Sequence, residues 1–291
     1  MVLFILFPGI GESEKLWEKY INWESKKREI IRTSFLQKLK QLGDVYIYTP
    51  NIYNIMNYCS CSPECKLIKK FYSEPNEISI NDMNIDSECK RIYEEVKSYK
   101  GKFIPIGHSA GGWFAVYFTK LYPSRCSKTI LIESGYLTQK LAKWQLESRI
   151  LNTKIKNKKM TIQELQNFVQ KLQTNRSKLV LDGKTCENKQ TLKLINKFKQ
   201  IFLSYYYNTI KKIDGKLIKP TLFFENIAIT DNSKEDKKMD NLLRVKYFDE
   251  LYKKNGTKKI NVHYLLNTGH FPWCIPKYSD IMIKQIKCFV E

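Results

Sequence analysis

The 291-residue chain predicts an α/β fold, a mostly parallel sheet of about six strands with helices on both faces and a helical cap insertion. Three observations predict it. Short apolar runs rich in Val, Ile, Phe and Tyr recur along the chain, separated by stretches of helical periodicity. One run leads into Gly107-His108-Ser109-Ala110-Gly111 and then straight into the helix-like stretch Trp113–Leu121. Residues 136–213, between two later runs, carry helical patterns only.

The elements follow in order. Val2–Phe7 is a strand, stopped by Pro8-Gly9-Ile10-Gly11. A long helix is expected from Ser13, its apolar face built from Leu16, Tyr20, Trp23, Ile30, Phe35 and Leu39, until Gly43 ends it. Asp44–Pro50 reads as a second strand, and residues 51–82 as an irregular excursion. Asp82 caps a helix over 84–99. Phe103–Ile106 is the third strand, and Pro105 within it cannot donate to a ladder, so it should lie near the strand end or at a distortion.

Lys128–Glu133 is the fourth strand, Pro220–Glu225 the fifth and Lys259–Leu266 the sixth, before a last helix over Tyr278–Phe289. In the insertion, helical patterns cover Leu137–Leu151, Thr161–Leu172 and Leu192–Ile213. The second opens on a capping box, Thr161 to Glu164, and carries one apolar stripe of Leu165, Phe168, Val169 and Leu172. Lys154–Lys159 before it reads as a solvated loop. The expected organisation is a core of residues 1–135 and 214–291 with a cap, or lid, at 136–213.

Composition narrows the function classes. With 43% hydrophobic and 13% aromatic residues the chain can bury a large core, which excludes general disorder. Its 50 Lys+Arg against 29 Asp+Glu give a net charge of +21. The lysines are spread along the whole chain among Asn and Ile, as a compositional bias would spread them. A nucleic-acid binder would cluster them with aromatics on one face. No specific nucleic acid is therefore expected as a partner, and association with anionic surfaces should be weak.

Eight cysteines lie at 59, 61, 65, 89, 126, 186, 274 and 288. Cys59, Cys61 and Cys65, with Cys89 further on, offer soft ligands for zinc. Their spacing is not that of a C-x-x-C knuckle and no second compact pair follows, so no structural metal is expected. Met1–Pro8 is too short for a secretory signal and lacks a basic flank, and no stretch has the length of a membrane span. Reduced thiols and a cytoplasmic location are the expectation.

The chemistry centres on G-x-S-x-G. Between a strand and a helix, glycines at both ends let the two elements approach, and the central serine sits on a strained turn with its hydroxyl exposed. Ser109 is the candidate nucleophile. It needs a general base, and the base needs an orienting carboxylate. Of the three histidines, His108 lies inside the turn with its side chain directed away from the serine, and His263 lies within the sixth strand as a structural residue. His270 follows that strand, on a loop at the sheet end where parallel α/β sheets bind ligands, and is the candidate base. Asp231, after the fifth strand, is the chosen acid, with Glu133, Asp236 and Glu225 as alternatives. The oxyanion donors would be the backbone N–H groups of Ala110 and Ile10.

Three ordered blocks, Leu6–Gly11, Gly107–Gly112 and Thr268–Trp273, carry a resemblance to the α/β-hydrolase superfamily that covers essentially the whole chain. The superfamily's chain order of serine, acid and histidine agrees with Ser109, Asp231 and His270. Where the first block usually has His-Gly, this chain has Pro8-Gly9, a version similar to some thioesterase-type members. The resemblance also implies that the family's first two strands are missing, and the acid loop is longer than the common spacing. It implies a serine hydrolase acting on a small-molecule ester or acyl substrate, ester or thioester, through an acyl-enzyme and with no cofactor or metal. The rival readings are a catalytically silent protein of the same fold that binds a ligand or partner, and a basic nucleic-acid-binding protein.

Overall fold

Four of the six expected apolar runs lie almost wholly inside the protein, the first and last strands in sheet order are more exposed, and the six strands form a single sheet. The computed structural model describes residues 1–9, 17–21, 30–48, 85–139, 141–142, 209–227 and 235–291. In chain order the strands are β1 (Val2–Phe7), β2 (Lys19–Ile21), β3 (Ile30–Arg32), β4 (Asp44–Ile47), β5 (Lys102–His108), β6 (Thr129–Ile132), β7 (Thr221–Ile227) and β8 (Ile260–Leu266). The main sheet runs β4-β1-β5-β6-β7-β8, with every neighbouring pair parallel. β2 and β3 form a separate antiparallel pair.

The strands are apolar on both faces because helices cover both. Successive side chains alternate sides. Leu3, Ile5, Phe7, Phe103, Leu131 and Phe223 therefore join one core cluster, and Phe4, Leu6, Ile104, Ile106, Ile130, Ile132, Leu222 and Phe224 the other. The first cluster is closed by α2 (Ile85–Val96), α3 (Gly111–Leu121) and α4 (Glu235–Asn255), the second by α1 (Phe35–Lys40) and α5 (Pro276–Val290). Chain direction along the sheet reverses at β1, which lies between β4 and β5 although both follow it. The crevice beyond the C-terminal ends of β1 and β5 is thus a topological switch point, where ligands bind in such sheets.

Pro105 lies inside β5, opposite Ile5 of β1, and not at its end. The Phe103 N–H donates to the Arg125 carbonyl on the β6 side, so by alternation the Pro105 nitrogen turns the same way. It falls in the gap between the isolated Phe103–Cys126 bridge and the β6 ladder, which starts at Ile106 opposite Ile130. The missing donor removes no ladder bond there.

Two further expectations are corrected. The single long helix from Ser13 is instead the β2 and β3 strands followed by the six-residue α1, because apolar residues spaced for one helix face also serve two short strands. α4, 21 residues long, had no counterpart in the sequence reading. The cap expectation lies mostly outside the described residues, as do the 51–82 excursion and Cys59, Cys61, Cys65 and Cys186. The described ends of the insertion, at 141–142 and 209–213, are helical. Among the described residues Cys89, Cys126 and Cys274 are buried and Cys288 is exposed, none of them in a disulfide. No described helix is long and apolar enough to cross a membrane.

Candidate active site

Ser109 leaves β5 with φ at 53°, a left-handed conformation that a non-glycine residue adopts at a cost. Glycines make the turn possible. A Cβ on Gly107 would lie 2.5 Å from the Gly111 carbonyl oxygen, and one on Gly111 would strike the Phe7 carbonyl at the end of β1. The backbone of Ser109 is tied on both sides: its N–H donates to Ile132 O at 3.1 Å, and its carbonyl accepts from Gly112 and Gly135 N–H, each at 3.1 Å. Ala110 stands at the head of α3, where the first N–H groups of a helix lack intrahelical acceptors. Ile10 lies outside the described residues.

His270 is on the loop after β8, which turns through Asn267 and Gly269, both at positive φ. The loop is pinned to β7. The Asn267 N–H donates to Ile227 O at 2.9 Å, and the Thr268 N–H to Asn226 Oδ1 at 2.8 Å. A second pin comes from His108. This ring is fully buried against Trp273, at 4.6 Å between centroids, and its Nε2 lies 2.9 Å from the His270 carbonyl oxygen. A carbonyl only accepts, so Nε2 of His108 carries the proton. The residue directly before the serine therefore holds the backbone of the histidine loop.

Among the described residues the carboxylate at His270 is Glu133, which directly follows β6 at φ 46°. Its Oε2 lies 3.8 Å from His270 Nδ1, an ion-pair separation longer than a hydrogen bond. Such contacts are often long without substrate and tighten when it binds. The other oxygen, Oε1, accepts the Asn226 backbone N–H. Arg244 of α4 reaches Oε2 from the far side at 3.4 Å. Burial alone would raise the Glu133 carboxyl. The neighbouring His270 imidazole, the Arg244 guanidinium and the Asn226 amide outweigh it and hold the group below the usual carboxylate range.

Arg244 also donates to Oε2 of Glu225, a β7 residue that is almost fully buried. For this second carboxyl burial wins over the guanidinium, helped by the nearby Glu133 charge, and pushes its pKa up to about 8. His263 sits in β8 with its ring 5.9 Å from that of Phe224, and partial burial lowers its pKa. The structure thus brings Ser109, Ala110 and His270 to one end of the sheet, with Glu133 as the described acid beside His270. Asp231 lies outside the described residues, and so does the side chain of Asp236. Arg244 and Asn226 were missed by sequence reasoning: one is a basic residue in a lysine-rich segment, the other an ordinary polar strand end. Only the sheet order shows that both meet Glu133.

The chain resembles solved structures along its whole length. A meta-cleavage product hydrolase, in a single-site mutant form, aligns at TM-score 0.52 and 14% identity over 100% of this chain and 91% of that one. A marine microorganism esterase aligns at 0.47 and 16% over 99% and 94%, and a monoacylglycerol lipase from Paleococcus ferrophilus at 0.46 and 11% over 99% and 93%. No family model and no curated protein matches the sequence. The parallel six-stranded sheet and the likeness to the first of these structures give the chain the fold of the α/β-hydrolase superfamily.

Proposed function

We propose that the protein is a serine hydrolase that cleaves an ester or thioester. Ser109 attacks the carbonyl; His270 takes its proton and returns it to the leaving group; water then hydrolyses the acyl-enzyme. Among the described residues Glu133 is the carboxylate beside His270 Nδ1, which supports it for the orienting role, with Asp231, outside the described residues, as the other candidate. The amides of Ala110 and Ile10 would hold the oxyanion, and residues 136–213 would form a cap that controls access.

The observation that carries this reading is the strained Ser109 turn at the switch point, tied by its backbone to Ile132 and Gly135 on either side of the acid that faces His270. A fluorophosphonate should label Ser109 in the wild type, and Ser109→Ala should lose both labelling and p-nitrophenyl ester turnover. Removing one oxyanion donor alone costs about 10²–10³ in kcat, and removing the nucleophile costs more. Unchanged turnover in Ser109→Ala would remove Ser109 as the nucleophile, and neither labelling nor turnover in the wild type would leave a binding protein of hydrolase fold as the reading.

A further inference from the structure

Two buried carboxylates share one guanidinium behind the histidine. Arg244 touches Glu133 and Glu225 together, and among the described residues it is the only arginine or lysine in contact with either. One cation can neutralise one carboxylate, and leaving a second anion buried beside the first is costly. Their surroundings are unequal. Glu133 accepts from the Asn226 N–H and faces both Arg244 and His270. Glu225 has one oxygen on Arg244, while its Oε1 is buried and has no hydrogen-bond partner among the described residues. An oxygen placed so is better as the O–H of a neutral acid than as half of a carboxylate.

We propose that Glu225 keeps a proton at neutral pH and acts on His270 through Arg244 and Glu133, so that its ionisation sets the strength of the base. This rests on the hydrolase reading for its consequence in catalysis, though not for the coupling itself. With Glu225 protonated, Arg244 and Glu133 together carry no net charge. When Glu225 releases its proton to solvent, the three groups carry one negative charge, and Arg244 is divided between two anions. An imidazolium forming at His270 is then stabilised further, and Ser109 loses its proton more readily.

Among the described residues the other titratable groups facing Glu225 are Tyr247 on α4 and Tyr264 on β8. Burial raises both phenols, so neither ionises in the range where Glu225 does. The raised pKa of Glu225, about 8, places its step on the alkaline side of neutrality.

The test follows the His270 ring proton by NMR across pH, alongside the rate at which a fluorophosphonate labels Ser109. With three histidines in the chain, the signal is assignable by substitution of the other two. Wild type should show the loss of the imidazolium and a second, smaller inflection near pH 8. Labelling should rise by a further factor of about three to ten across that inflection. Glu225→Gln keeps the shape and stays neutral, so both the inflection and the extra rise should vanish.

A single inflection in wild type, or a second one that survives in Glu225→Gln, overturns the proposal. If Glu225→Gln does not fold, wild type labelled with ¹³C at the glutamate carboxyls must show one of them titrating near pH 8. Finding all of them titrated below about pH 6 overturns it equally. The two readings fail separately. Absence of labelling at every pH removes the hydrolase, while the NMR inflection still decides the coupling.

Discussion

Ser109 and Glu133 directly follow the neighbouring strands β5 and β6, and both are held at positive φ. Each costs about 1–3 kcal/mol of strain, which persists where surrounding structure fixes it. For Ser109 the fixing bonds run to Ile132 and Gly135, and for Glu133 to Phe224 O, Asn226 and Arg244. If Glu133 orients the imidazole, Glu133→Gln should lower kcat about 10⁴-fold through the wrong tautomer, with KM nearly unchanged. Asp231→Asn should then stay within a few-fold of wild type. The opposite ranking in steady-state kinetics would return the role to Asp231. His108 makes a separate prediction. His108→Phe fills the space but removes the hydrogen bond from Nε2 to the His270 carbonyl, and such a bond contributes about 0.5–1.5 kcal/mol net. The loop should loosen, with kcat falling about tenfold or more and Ser109 still labelled, more slowly.

At the scale of elements, the elbow depends on close approach of backbones. Gly111→Ala would drive a methyl group into the Phe7 and Pro8 carbonyls at the end of β1, where nothing flexible can yield. Gly256, between α4 and β8, has open space around it and needs only its positive φ of 76°. Thermal denaturation should therefore separate the two. Gly256→Ala should cost about 1–3 kcal/mol, since its φ of 76° with ψ of 156° is a conformation essentially only glycine adopts, and Gly111→Ala should cost more than that or fail to fold. The sheet strands and this elbow were legible in the sequence because fully buried strands read as apolar runs and the turn requires glycine at fixed positions. α4 was not legible: its lysines, asparagine and aspartates dilute the apolar face that Tyr247, Phe248 and Leu251 present to the core. Glu133 was visible as an acid ending a strand. What places it beside His270 and Arg244 is the order β6-β7-β8, which brings the His270 loop and α4 against it, and no spacing in the sequence encodes that order.

At the scale of the whole molecule, the charge of +21 sets how the protein responds to salt. Among the described residues many acids are already paired with a base: Lys38 with Asp280, Arg91 with Glu88 and Glu95, Lys97 with Glu94, Lys212 with Asp86, and Lys254 with Asp214. Exposed pairs of this kind contribute about 0–1 kcal/mol each. The surplus of lysines and arginines over acids remains, and its mutual repulsion is larger in the compact state than in the expanded chain. Screening weakens pairs and repulsion together, but the unpaired excess makes repulsion the larger quantity here. Raising the ionic strength from about 0.01 M to about 0.15 M shortens the Debye length from about 30 Å to about 8 Å, below the span of the molecule. The melting temperature should therefore rise with sodium chloride over this range instead of falling. The same screening should release the protein from vesicles rich in phosphatidylserine, since lysines spread over a surface attract without a fitted site. Calorimetry and vesicle sedimentation at matched salt check the pair. A melting temperature that falls with salt would mean that the paired acids outweigh the excess charge. Vesicle binding that survives at about 0.15 M would mean that some of those lysines form a built anionic-surface site.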